Sequence, residues 1–315
     1  MRKVRAKYML KLFGLVTVLA LVVAGCGGGG TSGKVDLSNA NITVGSKEFT
    51  EQLVLGQIAI QVLENAGASV KDQTRLAGSV AARQALTSGQ IDMYWEYTGT
   101  GWIDYLKHTK PLPDPKKQYE AVAKEDLKEN GIEWLPPAPA NNTYAFAVRS
   151  EAYNKLGVKK ISDFKQLINK NPDEATLCIG SEFATRDDGL PGVEKAYGFK
   201  FPSNDLEKID EGLIYKAVDQ GDKCNFGEVF QTDGRISALD LKLIKDNKNF
   251  FPIYNPSLNV RKDVVKKYPQ IKKLFAPISK KLTTDTLSKL NAQVDVKGLL
   301  PEDVAKKWLS DNGFI

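Results

Sequence analysis

The sequence predicts an α/β fold of two lobes joined by two extended crossings, and three observations support it. Predicted strands and helices alternate from residue 42 to residue 97, an order typical of a mostly parallel sheet with helices on its faces. A second alternating run begins near residue 144. Segments near residues 138–144 and 249–256 would carry the chain between the lobes. With 315 residues, the chain is long enough for each lobe to have its own core.

The elements of the first lobe follow from hydrophobic periodicity and end signals. Residues 42–44 are predicted as a first strand, and "TEQLVLGQIAIQVLENAG" has the period of a helix, with Thr50 as its N-cap and Gly67 as its stop. A second strand in "SVKDQTRLAG", a second helix in "SVAARQALTSGQ" and a third strand in "IDMYWEY" complete the run.

The third strand ends at a candidate ligand site. Alternation places Trp95 on one face, where we expect it in the core, whereas Tyr97 is the last residue before the turn "TGTG". Ligands of open α/β sheets bind outside the carboxyl ends of strands. Ser46, Lys47 and Glu48 lie at the carboxyl end of the first strand, so both strand ends should present side chains to one edge. The sequence leaves open whether Trp102 belongs to the core or to a ligand wall.

The second lobe is predicted from a comparable series of segments. Strands are expected in "TYAFAVRSEAY", "ATLCIG", "KCNFGEVF" and "ALDLKLIKD", and helices in "ISDFKQLI", "GLPGVEKAYG" and "GLIYKAVDQGD". "NFFPIYNPSLNVRKDVV" is predicted to cross back, and the last sixty residues are predicted to be helical. The expected organisation is lobe 1 from residues 41–142, lobe 2 from residues 143–248, and a return to lobe 1 in residues 249–315.

The N-terminus has the pattern of an export signal. Residues 1–25 combine a basic start with the apolar run "LFGLVTVLALVVAG", which is short for a membrane-spanning helix. The quartet "VAGC" resembles a bacterial lipobox and predicts lipidation at Cys26; the alternative is an ordinary signal peptide with an incidental cysteine. Residues 26–40, rich in glycine, are predicted to be a flexible tether. The protein is thus expected outside the cytoplasm, anchored to the cell membrane by lipid.

Charge argues against nucleic acid as a partner. The chain has a formal net charge of +6, but residues 1–25 carry five basic residues and no acidic one. The remainder is close to neutral, without the basic excess that nucleic-acid binding requires.

Cysteines and motifs argue against metal and catalytic chemistry. Beyond Cys26 the chain has only Cys178 and Cys224, and an extracytoplasmic location favours a disulfide between them over two buried thiols. The single histidine, His108, lies in a polar run and forms no Cys/His cluster. The sequence has no Walker loop, no nucleophile elbow and no zinc-protease motif. We expect no metal, no cofactor and no enzymatic activity.

Four motifs together indicate a family. "VGSKEFTEQ", "SGQIDMYWEYTGTG", "GSEFATRDDGLPGVEKAYGF" and "GEVFQTDGRI" resemble the substrate-binding proteins of bacterial ABC importers for glycine betaine, proline betaine, carnitine and choline. The resemblance runs from about residue 42 to residue 313. It implies a periplasmic-binding-protein type II fold that closes around a quaternary ammonium compound and delivers it to an ABC permease. Which of these compounds is preferred stays open.

The resemblance also implies the ligand-binding residues. An aromatic box would hold the methylated cation, with walls from Tyr97, Tyr144, Tyr254 and Phe230, the last at a position where related sequences can have tyrosine. The carboxylate of a betaine would contact Lys47, Thr100 and Arg186. Glu182 would line the cation end.

Physical chemistry suits these roles, but each residue has an alternative. A trimethylammonium group donates no N–H hydrogen bond and is best contacted by aromatic faces, whereas Arg and Lys bind carboxylates. Tyr144 and Tyr254 could simply pack the two crossings, Tyr97 and Phe230 could be strand-end core, and Arg186 could pair with a neighbouring aspartate. An extracytoplasmic enzyme or a sensor domain on the same scaffold is the alternative function.

Overall fold

The computed structural model describes residues 35–315, and every statement about structure concerns this range. It contains two five-stranded sheets, each packed against helices. We call the sheet nearer the N-terminus, with its helices, lobe 1, and the other sheet with its helices lobe 2. The predicted two-lobed α/β fold is confirmed.

Lobe 1 has a mixed sheet. Its strands are β1 (Asn41–Lys47), β2 (Ser69–Leu76), β3 (Met93–Tyr97), β4 (Ile132–Trp134) and β10 (Pro256–Arg261). In the order β2-β1-β3-β10-β4, the first three are parallel and β10 is antiparallel to both of its neighbours. The expectation of a mostly parallel sheet is confirmed, because β1, β2, β3 and β4 run in one direction and β10, the strand that returns from lobe 2, runs against them.

The helices of lobe 1 cover this sheet. They are α1 (Thr50–Asn65), α2 (Gly78–Ser88), α3 (Thr98–Thr100), α4 (Pro115–Glu129), α10 (Lys262–Lys267), α11 (Gln270–Lys281), α12 (Thr284–Asp295) and α13 (Pro301–Asp311). A π-helical turn, Gly101–Tyr105, follows α3. Thr50 is not the N-cap of α1 as expected: Phe49 holds that position, and the Thr50 hydroxyl donates to Asp295 Oδ1 at 2.6 Å. The Thr50 side chain thus bonds to a residue distant in sequence instead of capping the backbone of its own helix.

Lobe 2 repeats the plan with shorter elements. Its strands are β5 (Tyr144–Arg149), β6 (Leu177–Ile179), β7 (Leu206–Lys208), β8 (Phe226–Phe230) and β9 (Leu241–Ile244), in the order β7-β6-β8-β5-β9. Its helices are α5 (Ser150–Leu156), α6 (Phe164–Lys170), α7 (Leu190–Tyr197), α8 (Glu211–Gln220) and α9 (Arg235–Ala238).

Two crossings connect the lobes where the sequence predicted them. The chain passes from β4 to β5 through residues 135–143 and returns from β9 to β10 through residues 245–255. The crossings are hydrogen-bonded to each other: Asn142 N donates to Tyr254 O at 3.0 Å, and Tyr254 N donates to Asn141 Oδ1 at 2.8 Å. They therefore run side by side at this point.

Strand β3 is buried along its whole length. Met93 and Trp95 pack into the lobe 1 core with α1 and α11, and Tyr94 packs on the opposite face with α2 and β4. Trp95 is 1% exposed, as expected of a core residue. Glu96 is completely buried in the same strand, which requires a polar partner and points to a built site nearby.

The predicted signal peptide and Cys26 lie outside the described residues. Of the predicted tether, residues 35–40 are described, and they are folded: Leu37 is buried and its N–H donates to Ala66 O at 2.7 Å. No helix in the described range has the length and hydropathy needed to cross a membrane.

Candidate functional site

A small cavity lies where the two lobes meet. Its volume is about 30 Å³, and it opens toward a cleft of about 1080 Å³ between the lobes. All eight of the predicted ligand-binding side chains line it: Lys47, Tyr97, Thr100, Tyr144, Glu182, Arg186, Phe230 and Tyr254. They come from strand ends, crossings and loops far apart in sequence, so the fold brings the predicted set together at one place. That these residues bind a ligand stays a prediction.

Aromatic rings form one side of the cavity. Tyr144 opens β5 and lies opposite Phe230, which ends β8, in the antiparallel ladder of lobe 2; their ring centroids are 5.2 Å apart. Tyr254 meets Tyr144 edge-on at 5.4 Å. Tyr97 projects from the end of β3 in lobe 1. Four rings from both lobes thus surround one space, an arrangement suited to a soft cation.

Phe49 is a fifth ring that the sequence prediction missed. It precedes α1 directly, stacks on Phe230 with centroids 5.0 Å apart, and lies 6.3 Å from Tyr97. It therefore bridges the tyrosine of lobe 1 and the phenylalanine of lobe 2. The available signal was its place in "GSKEFTEQ", two residues after Lys47 and directly before a predicted helix, so that it lies close to a predicted site residue.

The glycine after β3 explains part of the "TGTG" turn. A Cβ atom on Gly99 would lie 2.8 Å from two ring carbons of Tyr254, closer than side chains pack. Glycine therefore lets the Tyr254 ring lie flat against the turn that follows Tyr97. Gly99 is thus a packing requirement of the aromatic wall.

Lys47 is already paired within the protein. Its ammonium group, on a side chain only 4% exposed, donates to Glu96 Oε1 and to Ser79 Oγ, both at 2.7 Å. It lies 5.2 Å from the centre of the Tyr97 ring. The buried charge of Glu96 is thereby compensated, and Lys47 presents less free positive charge than the sequence prediction assumed.

Arg186 is also paired, although it is buried and not a surface residue. Its Nε and Nη2 donate to the two oxygens of Asp188 at 2.7 and 2.6 Å, a bidentate arrangement. The Tyr254 hydroxyl donates to Asp188 Oδ2 at 2.6 Å. Thr100 Oγ1 lies 3.5 Å from Arg186 Nη2, across the lobe boundary. Asp188 occupies the Nε and Nη2 edge of the Arg186 guanidinium, and that Arg186 binds a ligand carboxylate stays a prediction.

Glu182 connects the lobes. Its carboxylate accepts from the backbone N–H and the hydroxyl of Ser79, at 3.0 and 2.6 Å, in the first turn of α2. It also accepts from Arg186 Nη1 at 2.6 Å. Burial works to raise the pKa of Glu182, but Lys47, Arg186 and the Ser79 hydrogen bonds outweigh it and lower the pKa to about 2. Glu182 is therefore a charged contact between lobe 2 and the N-terminus of a lobe 1 helix.

Two further carboxyl groups lie beside the cavity on the lobe 2 side. Glu228 is 1% exposed and accepts from Gly180 N at 3.1 Å, and burial raises its pKa to about 7. Glu211 at the start of α8 also has a raised pKa, caused first by burial and then by the charge of Glu228. Glu228 and Glu211, unlike Glu182, therefore favour the neutral form more than an exposed glutamate does.

The remaining candidates lie apart from the cavity. Trp102, which the sequence left undecided, stacks on His108 with ring centroids 3.5 Å apart, and its indole N–H donates to Lys110 O at 2.8 Å. It belongs to a half-exposed cluster on lobe 1. Residues 35–315 contain no group of three or more His, Cys, Asp or Glu side chains placed to hold a metal ion.

The two cysteines of lobe 2 are at bonding distance. Their sulfur atoms are 2.00 Å apart and their Cα atoms 5.7 Å apart. Cys178 lies in β6, beside β8, and Cys224 lies just before β8. A disulfide between them would tie the segment after α8 to β6, the strand that precedes Glu182.

Two lobes, two crossings and a cavity lined from both sides define a solute-binding protein of the bilobal type. Residues 40–311 match the family described as the substrate binding domain of ABC-type glycine betaine transport systems, and the chain belongs to that family. This is a transport family, not an enzyme family. Substrate-binding proteins of ABC importers act outside the cytoplasm together with a permease.

Similar proteins support the assignment. A glycine-betaine-binding protein of Pseudomonas aeruginosa is 36% identical over 279 residues, 87% of this chain and 88% of that one. The ergothioneine transport permease and binding protein EgtU of Helicobacter pylori is 36% identical over 276 residues, 87% of this chain and 48% of that one. The structure of apo YehZ from Escherichia coli superposes with a TM-score of 0.64 at 35% identity, covering 87% of this chain and 99% of the other. The type II fold predicted from the sequence is confirmed.

Proposed function

We propose that this chain captures a quaternary ammonium compound in the cavity between its lobes and passes it to an ABC permease. The observation that carries the proposal is the convergence of five aromatic rings, from both lobes, on one space. A methylated cation gains about 0.5–2 kcal/mol from each ring face that it contacts, depending on desolvation. A ligand that touches both lobes stabilises the closed form over the open one.

The charges around the cavity favour the cation over the carboxylate as the recognised group. Lys47 and Arg186 are each bonded to a buried carboxylate, Glu96 and Asp188. Glu182 adds a further negative charge. Glycine betaine, proline betaine, carnitine and choline all carry the quaternary cation, so all four are candidate ligands.

A thermal-shift screen tests this function. Glycine betaine, proline betaine, carnitine and choline are each added to the mature protein at a concentration series up to millimolar. We expect at least one to raise the melting temperature in a concentration-dependent way, because a ligand at 100 times its Kd stabilises by about 2.7 kcal/mol. If none of the four shifts the transition, the proposed ligand class is refuted.

We also infer that the lobes move as predicted from the sequence, with residues 41–142 and 249–315 as one body and residues 143–248 as the other. Sheet membership supports this division, because every described strand of the first sheet falls in the former and every strand of the second in the latter. The two crossings would be the hinge.

The proposal includes a lipid anchor at Cys26, following a signal peptide in residues 1–25. The support is the sequence "LVVAGC" and the glycine-rich stretch that follows it. A Cys26→Ala variant should remain unprocessed and take up no radiolabelled palmitate when expressed in bacteria. Lipid-labelled, mature-sized protein from that variant would contradict the anchor.

A further inference from the structure

Two of the cavity tyrosines direct their hydroxyl groups to buried carboxylates, but only one of these carboxylates has a cationic partner. Tyr254 donates to Asp188, which Arg186 neutralises. Tyr97 donates to Glu51 Oε1 at 2.8 Å. Among residues 35–315, Glu51 belongs to no ion pair within 4.0 Å. The negative charge behind the Tyr97 ring is thus uncompensated by a direct partner.

Glu51 is held rigidly. It is the second residue of α1 and is 2% exposed. Asn142 Nδ2 donates to Oε1 at 2.9 Å, and Asn291 Nδ2 donates to Oε2 at 3.0 Å. With the Tyr97 hydroxyl, three donors fix the carboxylate in one orientation. Three donors and no acceptor are the partners that the ionised form requires.

The same carboxylate is linked to lobe 2 through its partners. Asn142 lies in the first crossing and its Oδ1 accepts from the Thr232 hydroxyl at 2.7 Å. Asn291 Nδ2 also lies 3.0 Å from Thr232 O. Thr232 follows β8, so the carboxylate that holds Tyr97 is connected to the loop of lobe 2 that begins directly after Phe230.

We propose that Glu51 is a positioning residue for ligand binding: its carboxylate fixes the Tyr97 ring through the hydroxyl and supplies the negative charge that a bound quaternary cation faces through that ring. The proposal rests on the proposed function. A phenol that donates to a carboxylate becomes more electron-rich, which strengthens the attraction of its face for a cation. Burial raises the pKa of Glu51, so a cation bound nearby would also offset part of the cost of keeping the charge buried.

A double-mutant cycle tests this coupling. Wild type, Glu51→Gln, Tyr97→Phe and the double variant are titrated calorimetrically with glycine betaine and with choline. Glutamine keeps the size of the side chain and an oxygen for the Tyr97 hydroxyl but removes the charge. We expect Glu51→Gln to weaken binding about tenfold when Tyr97 is present and less than twofold in the Tyr97→Phe background, where no hydroxyl connects ring and carboxylate.

Asp126→Asn is the matched control. Asp126 is an equally buried carboxylate on α4, and it accepts from Arg83 and Trp134 well away from the cavity. This variant should lose stability but keep wild-type affinity in both Tyr97 backgrounds. If Asp126→Asn lost as much affinity as Glu51→Gln, the loss would be due to general destabilisation, and the proposal would be overturned.

The outcomes distinguish a failure of the positioning role of Glu51 from a failure of the proposed ligand-binding function. Wild type that binds neither probe refutes the proposed function itself. Equal losses from Glu51→Gln in the two Tyr97 backgrounds overturn the positioning role while leaving the function intact. If Glu51→Gln fails to fold, Tyr97→Phe alone decides: we expect it to bind about fivefold more weakly than wild type, and unchanged affinity would show that the hydroxyl–carboxylate link contributes nothing.

Discussion

At the scale of single residues, several side chains of the cavity have polar ends that bond within the protein and ring faces that are left for a ligand. Tyr97 and Tyr254 both donate their hydroxyl groups to buried carboxylates. Lys47 and Arg186 are likewise bonded to acids. Unpaired polar groups in such a site would cost stability, so pairing them leaves the ring faces as the free recognition surface.

Removing one ring should weaken binding more than removing a comparable ring elsewhere. We expect Tyr97→Ala to lower affinity for the quaternary ligand by more than tenfold, since a loss of about 1.4 kcal/mol is already a factor of ten. Tyr268→Ala is the control, because Tyr268 is a buried tyrosine of the lobe 1 core outside the cavity. Calorimetry should find the control close to wild type in affinity. Equal affinities for wild type and Tyr97→Ala would remove Tyr97 from the site.

A conservative substitution at Phe230 should have the opposite effect on affinity from Tyr97→Ala. Its ring lies between Phe49 and Tyr144 and is only partly buried, so a hydroxyl at its edge can reach the cleft. We expect Phe230→Tyr to keep or improve affinity in calorimetry, because the ring face is retained. A drop of more than fivefold would indicate that the edge of the ring, not its face, determines the fit.

Short sequence motifs predicted which side chains line the cavity. They did not predict the hydrogen bonds and ion pairs that these side chains form with one another. The eight side chains were identified from short stretches such as "EYTGT" and "SEFATR", and all eight line one cavity. Phe49 and Glu51 were missed as parts of the site, and the pairing of Arg186 with an aspartate was given only as an alternative to ligand binding. Pairing of buried charges depends on tertiary neighbours, and no local pattern encodes the approach of Glu51 to Tyr97.

At the scale of elements, long periodic segments were predicted well, whereas two of the three-residue strands, β4 and β7, were missed. α1 and α8 are where their helical period placed them. β4 and β7 have three residues each, too few for an alternating pattern to stand out. β10 was expected to be only a crossing segment, and its pairing with β3 made the lobe 1 sheet mixed.

A buried carboxyl group in β8 should make the stability of the protein depend on pH. Glu228 has a pKa of about 7 in the folded protein, caused first by burial, against 4.5 for a free side chain. Between these values the folded state binds more protons, so stability should fall as pH rises from about 4.5 to about 7, by roughly 2–4 kcal/mol. Urea unfolding at pH 5 and pH 8 should show a smaller difference for Glu228→Gln than for wild type.

An exposed carboxylate provides the comparison for that experiment. Glu302 lies on the surface at the start of α13, and Glu302→Gln should keep the wild-type pH dependence. If Glu228→Gln and wild type lose the same unfolding free energy between pH 5 and pH 8, the burial of Glu228 does not cause the pH dependence of stability.

The Cys178–Cys224 link should stabilise lobe 2. It closes a segment of 46 residues, for which the chain-entropy account gives about 3–4 kcal/mol. We expect the Cys178→Ser/Cys224→Ser double variant to unfold at correspondingly lower urea concentration, and the oxidised wild type to show no titratable thiol from these two residues after unfolding. Two free thiols in unreduced protein would contradict the disulfide.

At the scale of the whole molecule, contacts between the lobes surround a cavity that is nearly closed. Glu182 of lobe 2 bonds Ser79 of lobe 1, and Arg186 approaches Thr100. A volume of about 30 Å³ has room for about one or two water molecules. A quaternary ammonium ligand therefore requires the lobes to part before it binds, and the rings close on it afterwards.

The central claim is that the aromatic cavity selects a methylated cation. Its most direct test is calorimetry of wild-type protein with two matched pairs, glycine betaine against glycine and choline against ethanolamine, which differ only in N-methylation. A primary ammonium keeps its hydration and three N–H donors, which ring faces serve poorly. The account predicts binding of at least one methylated compound and affinity at least a hundredfold lower, or undetectable, for its unmethylated partner. Equal affinity within a pair that binds would contradict it.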